Sequence, residues 1–209
     1  YNGEIPSIKF LGVYFDPTLW FKYHIDQLNL KLSKALFLLR RAKNVLNLES
    51  LKSLYFSSFH SHLVYGILVY SSAVPSVLNS LIIKQKMAIR CITNSKYNAH
   101  TAPLFKKEKI LPFDLLVHYF QMLFMHDHKH KRIPRSFYDV WRTIEENNIQ
   151  YPVRNRFDYR ISQARICLTE RLPICTLPKV WNLYSFEQTK NIISKEAFKL
   201  NVKKIFLNQ

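Results

Sequence analysis

The side chains able to do chemistry are gathered in a few places along the 209 residues. His126, His128 and His130, with His118 ahead of them, invite a metal-binding reading. On a helix only His126 and His130 share a face, and no cysteine or acid completes a tetrahedral set at the usual spacing. The run is therefore expected to be a basic, solvated helix end, where cations suit the helix dipole. Cys167 and Cys175 have no Cys/His pair beside them to make a zinc knuckle. Glu145 and Glu146 are the only adjacent acids, and successive helical residues face different ways. No nucleophile elbow is present. No catalytic residue, metal ligand or cofactor is assigned within the chain.

What remains is charge. Lysine plus arginine outnumber acids 31 to 14, for a formal charge of +17. A polyanion is the expected partner, because each neutralised phosphate releases counterions. Nucleic acid leads, an anionic membrane surface is second, and a basic protein with no such partner is the bland alternative. Three cysteines, an odd count with no close pair, fit free thiols in a reducing compartment. No charged segment followed by an apolar one opens the chain, and a start at Tyr1 leads us to expect a fragment. Ser53 to Ile83 carries no Lys, Arg, Asp or Glu, but His60, His62, Pro75, Asn79 and several serines interrupt it. A buried helical hairpin is expected there in preference to a membrane span.

The elements that must position these charges follow from periodicity. Apolar residues make up 48% of the chain and glycines number only three, which points to a folded, mostly helical protein without glycine-rich phosphate loops. Ile5 to Phe15 reads as strand, with Gly12 allowing a bulge or a close backbone approach, and Asp16-Pro17 ends it in a turn. A helix is expected from about Phe21 to Leu46, with Ile25, Leu28, Leu32, Ala35, Leu36 and Leu39 as its apolar stripe and Asn47 closing it. A second, about Leu48 to Ser71, carries Leu51, Leu54, Tyr55, Phe59 and Leu63. In a third, Leu78, Leu81, Ile82, Ile89 and Ile92 make one stripe, and Thr93-Asn94-Ser95 stops it. Ser95 to Leu111 reads as a polar loop. A fourth helix starts near Pro112 with Phe113, Leu116, Val117, Phe120, Leu123 and Phe124 on one face. Beyond Pro134 the chain turns arginine-rich and proline-punctuated, and a last amphipathic helix is expected from Ser194 to Leu207. The boundary is expected between Lys129 and Ser136.

The segment Lys84-Gln-Lys-Met-Ala-Ile-Arg-Cys-Ile-Thr-Asn-Ser-Lys-Tyr97, followed by His100-Thr-Ala-Pro-Leu-Phe105, resembles one that lies behind the polymerase core in LINE-type (non-LTR) retrotransposon reverse transcriptases. Lys9-Phe-Leu-Gly-Val13, with Asp16 and Leu19, resembles the strand after the palm called the primer grip, although a buried edge strand explains it equally well. Leu63-Val-Tyr-Gly-Ile-Leu-Val-Tyr70 is similar to the family's Leu-x-Tyr-Gly-x-x-x-Trp, with Tyr70 in place of tryptophan. Read without the family, Tyr65-Gly66 is a core helix with a glycine where another backbone comes close. Tyr151-Pro-Val-Arg154-Asn-Arg156, Arg165, Leu177-Pro-Lys-Val-Trp181-Asn182, Phe198-Lys199 and Lys203-Lys204 follow the family's closing pattern, except that Val153 and Leu177 replace threonine and glycine.

The resemblance implies the thumb and tail of an RNA-directed DNA polymerase, whose palm Asp-Asp motif is absent from the chain. The expected fold is mainly α: a thumb-like helical bundle preceded by a short strand or hairpin, with an irregular basic C-terminal region. The expected parts are 1–20, the end of a palm; 21–130, the helical domain; and 131–209, the basic region. Phe10, Leu11 and Gly12 would steady a primer end. Lys31, Lys34, Arg41, Lys84, Lys86 and Arg90 would follow the phosphate backbone of a template–primer duplex. Arg154, Arg156, Arg160 and Arg165, interleaved with Phe157 and Tyr159, would suit single-stranded RNA, an interdomain connector being the alternative. The implied partners are an RNA template, a DNA primer and an upstream palm and fingers, with no membrane. Magnesium would belong to the full polymerase, and the location would be nuclear or cytoplasmic. A stand-alone helical nucleic-acid-binding or relic module is the rival reading.

Overall fold

A computed structural model describes residues 7–143, 158–163, 165–184 and 192–208. The chain divides into two compact units, Tyr1–Phe113 and Asp114–Gln209. The division falls one helix before the change of composition at 129–136, because the fourth helix belongs almost wholly to the second unit.

The first unit opens with a hairpin rather than one long strand. β1 (Ile8–Phe10) pairs antiparallel with β2 (Val13–Phe15) in the register Lys9 to Tyr14 and Phe10 to Val13. Leu11 (φ 46) and Gly12 (φ 81) form the two-residue turn. Both are left-handed, as a type I′ turn requires, so Gly12 serves a turn and not a bulge. Asp16 then organises the exit. Its buried carboxylate accepts hydrogen bonds from the Thr18 hydroxyl and from the N–H groups of Thr18, Trp20 and Phe21. Burial alone would raise its pKa, but these bonds outweigh burial and hold it below the usual carboxylate range.

α1 (Lys22–Ala42) buries the whole expected stripe. Asn47 does not close α1. It caps α2 (Leu48–Leu54), where its side chain accepts the Ser50 N–H. The helix continues as a π-helical turn, Tyr55–His60, into α3 (Ser61–Val64). The hydroxyls of Ser57, Ser58 and Ser61 donate to carbonyls three or four residues back, competing with the backbone ladder at this wider turn. The expected Leu48–Ser71 helix breaks at Gly66 (φ 69) before α4 (Ile67–Tyr70). A Cβ on Gly66 would meet Val13 Cγ2 at 2.9 Å, so β2 reaches the chain only because this residue is glycine.

α5 (Pro75–Ile92) lies against α1. Asn29 donates to Ser80 (2.7 Å), Lys84 to Ser33 (2.6 Å) and Lys43 to Asn94 (3.5 Å), each pair separated by the same 51 positions. A constant offset in the same sense means that the two helices run parallel in register. α5 ends in a Schellman motif, with Asn94 left-handed, Ser95 N–H on Arg90 C=O and Asn94 N–H on Cys91 C=O. The segment expected to be a loop contains α6 (Ala102–Glu108), tied to α2 by a Lys52–Glu108 ion pair of 3.2 Å with Glu108 buried. Gln85, only 1% exposed, donates to Tyr55 Oη (3.2 Å) and Leu111 C=O (3.0 Å), joining the middle of this unit.

The second unit is built on α7 (Phe113–Lys129), α8 (Cys167–Arg171), α9 (Pro173–Tyr184) and α10 (Lys195–Asn208). It holds more helix than its prolines suggest. Pro173 sits at the first turn of α9, where a missing N–H costs nothing. Pro178 lies inside α9 and cannot donate to the carbonyl of Ile174. The Trp141 indole N–H takes that carbonyl instead, at 3.1 Å. Asn182 clamps the backbone of Tyr159 from both sides, accepting its N–H (3.0 Å) and donating to its C=O (2.8 Å). In α10, Phe198, Val202 and Phe206 are the buried stripe.

Candidate nucleic-acid interface

The hairpin turn is the starting point. Phe10 and Leu11 are 63% and 76% exposed, so the primer-grip-like strand presents its tip and is not a buried edge. Tyr65 fastens that tip. Its hydroxyl donates to Leu11 C=O and its ring lies 3.1 Å from where a Gly12 Cβ would stand. Tyr65-Gly66 thus seats the hairpin through its two members, one against the turn and one beneath Val13.

A cleft of about 170 Å³ opens at the foot of the hairpin. Gly12 and Tyr14 line it from the hairpin, His24, Gln27, Leu28 and Lys31 from α1, and His62 and Tyr65 from the α3 side. His24 is buried, its Nδ1 accepts the Tyr14 N–H (3.4 Å), and its Nε2 has no partner. Burial first, and the Lys31 charge second, push its pKa down to about 4. The imidazole is therefore neutral near pH 7. With Nδ1 accepting, its proton sits on Nε2.

The cleft unites two site residues expected from sequence, Gly12 and Lys31, and Tyr65 of the Tyr65-Gly66 pair, with His24, Gln27 and His62, to which sequence assigns no role. The pattern Tyr23-His-Ile-Asp-Gln27 carried a faint signal, since a histidine on the boundary of an apolar stripe is placed to be half core and half surface.

The other expected basic residues do not converge there. Lys34 and Arg41 are exposed on α1 away from its stripe, and Arg41 stacks over Phe37 at 5.2 Å. Lys84 faces α1 through Ser33, while Lys86 is exposed two positions on, about 200° around the helix. Arg90 turns inward, its Nε donating to Ala99 C=O at 2.9 Å to brace the α5–α6 connection. Arg160 and Arg165 are exposed in the second unit, and the Arg160 N–H bonds Arg142 C=O across the Thr143–Tyr159 bridge. Arg154, Arg156 and Phe157 lie outside the described residues.

The histidine run is corrected outright. His126 (1% exposed) and His128 are buried, not a solvated helix end. His126 stacks on Phe198 with centroids 4.1 Å apart and meets Ile192 C=O through Nε2, while His128 Nδ1 meets Tyr159 Oη at 3.0 Å. Burial holds the pKa of His126 and of His118 below the ordinary value. The basic, solvated character holds only for the exposed Lys129, Lys131 and Arg132, while Asp127 pairs with Lys195 and Arg132. Among the described residues no group of three or more His, Cys, Asp or Glu side chains could hold a metal ion. Among the same residues no helix is long and apolar enough to cross a membrane.

The chain matches no protein-family model, no curated protein and no solved structure.

Proposed function

We propose that this chain is the thumb and tail of a LINE-type reverse transcriptase and that its first unit grips the template–primer duplex. The observation that carries the reading is the exposed hairpin tip at Phe10–Gly12 standing over a cleft that also contains Lys31. Uncovered apolar surface at Ile8, Phe10 and Leu11 suits packing against a palm sheet. The exposed cations Lys31, Lys34, Arg41 and Lys86 supply charge to a phosphate backbone without reading sequence. The polymerase chemistry, its carboxylates and its magnesium belong in this reading to an upstream palm, and the compartment is nuclear or cytoplasmic.

The test is RNA–DNA hybrid binding across a salt series. The variant replaces Lys31, Lys34, Arg41 and Lys86 with glutamine. Lys84 and Arg90 are left intact because each holds an internal hydrogen bond. Affinity should fall, and the slope of log K against log salt should flatten by roughly 0.7–0.9 for each phosphate no longer neutralised. An unchanged slope would sink the proposal. Tighter binding of the parent to anionic vesicles than to hybrid would favour a membrane-surface role instead.

A further inference from the structure

The cleft beneath the hairpin is specific enough to name a ligand chemistry. Its lining offers the Lys31 ammonium, the Gln27 amide and the His62 ring, and it includes no aspartate or glutamate. Tyr65 contributes shape rather than a free donor, since its hydroxyl is committed to Leu11 C=O. That bond and the Gly12 turn hold the hairpin at a fixed height above α1. His24 lines the cleft from α1 as a neutral ring, its Nδ1 occupied by the Tyr14 N–H, and adds no charge of its own. At about 170 Å³ the space takes one tetrahedral oxyanion with a water or two, and is small for a nucleoside.

We propose that this cleft binds a single phosphate group, carried either on a nucleic-acid backbone or as free phosphate. Only the source of the phosphate rests on the polymerase reading; the site itself does not. A bound phosphate supplies the countercharge that His24 lacks beside Lys31, so the ring should report its arrival.

The experiment follows the His24 ring by NMR through a pH titration of the full chain, in inorganic phosphate and in chloride at equal ionic strength. Phosphate should raise the His24 midpoint from about 4 by about one pH unit or more, and chloride should not. Lys31→Gln, at an exposed position, should leave the fold intact and weaken phosphate about tenfold or more. A midpoint unmoved by phosphate, an equal response to chloride, or parent-like phosphate binding by Lys31→Gln would each overturn the site. Competition of phosphate by RNA–DNA hybrid assigns the group to a nucleic-acid backbone. A phosphate response with no competition from hybrid upholds the site with free phosphate as its ligand, and counts against the polymerase reading alone.

Discussion

The two units solve the burial problem with different materials. In the first, the core is largely aliphatic and repeats at helical spacing: Ile25, Leu28, Leu32, Leu36 and Leu39 on α1, Leu81, Ile89 and Ile92 on α5. In the second, rings with polar edges do much of the work. His126 stacks on Phe198, Phe198 on Trp181, and Tyr159 meets Trp181 edge-on, while a tryptophan N–H and an asparagine amide satisfy backbone groups. An aliphatic stripe gains from burial whatever covers it. A histidine or a tryptophan N–H gains only where one partner meets it at one distance and angle. The first unit should therefore answer chiefly to backbone geometry and volume, and the second to protonation and to single hydrogen bonds.

Acid gives the largest expected contrast. Burial holds the folded-state pKa values of His118 and His126 below 6.5, so below that pH the unfolded chain binds more protons than the native one. Their contribution is complete above pH 6.5 and is lost as the pH falls towards their folded values. His24 has the same sign in the first unit, over the range from 6.5 to about 4, but it is one such histidine there, against His118, His126 and His130 in the second. Hydrogen exchange between pH 7 and 5 should show α7, α9 and α10 losing protection before α1 and α5. Simultaneous loss would erase the distinction.

Gly66→Val should come next, and should be felt in the first unit alone. A valine there carries about 1–2 kcal/mol of left-handed strain and about 1–3 kcal/mol of overpacking against Val13. Urea unfolding read on the hairpin and α1 should lose about 3 kcal/mol. If the second unit weakens equally, the two are not independent.

Asn182→Ala should be the mildest, about 1–3 kcal/mol in the second unit, because it removes the side chain that bonds both backbone groups of Tyr159. Asn182→Asp keeps the acceptor and loses the donor, so it should recover part of that loss in the same assay. Equal losses would mean that shape, not the paired bonds, fixes Tyr159.

How far the sequence can be read follows the same division. The stripes of α1 and α5, the stop at Thr93-Asn94-Ser95 and the last helix with Phe198, Val202 and Phe206 are legible because a 3.6-residue period is local information. The hairpin is half legible, since Gly12 marks a special backbone position but not which turn. Asn47 misleads because a cap belongs equally to the end of one helix and the start of the next. α9 is hidden by Pro178, whose unpaired carbonyl at Ile174 is rescued by Trp141 from far along the chain. The histidine run misleads for a similar reason, as nothing local announces Phe198 or Tyr159 as its neighbours. In the candidate site, Gly12 and Lys31 stand out by type, whereas His24 and His62 gain meaning only once the hairpin lies over α1.

By itself the sequence determined that this is a strongly basic, glycine-poor, mainly helical chain, where its aliphatic helices lie and which faces they bury. Those properties follow from composition and from spacing within single turns. Only the tertiary structure decided that α1 and α5 run parallel in register, that Gly66 admits β2, that His126 and His128 are core rather than surface, and that a hairpin and two helical segments enclose one acid-free cleft. Each of these depends on groups far apart in sequence meeting at hydrogen-bonding or van der Waals distance, which no local pattern encodes.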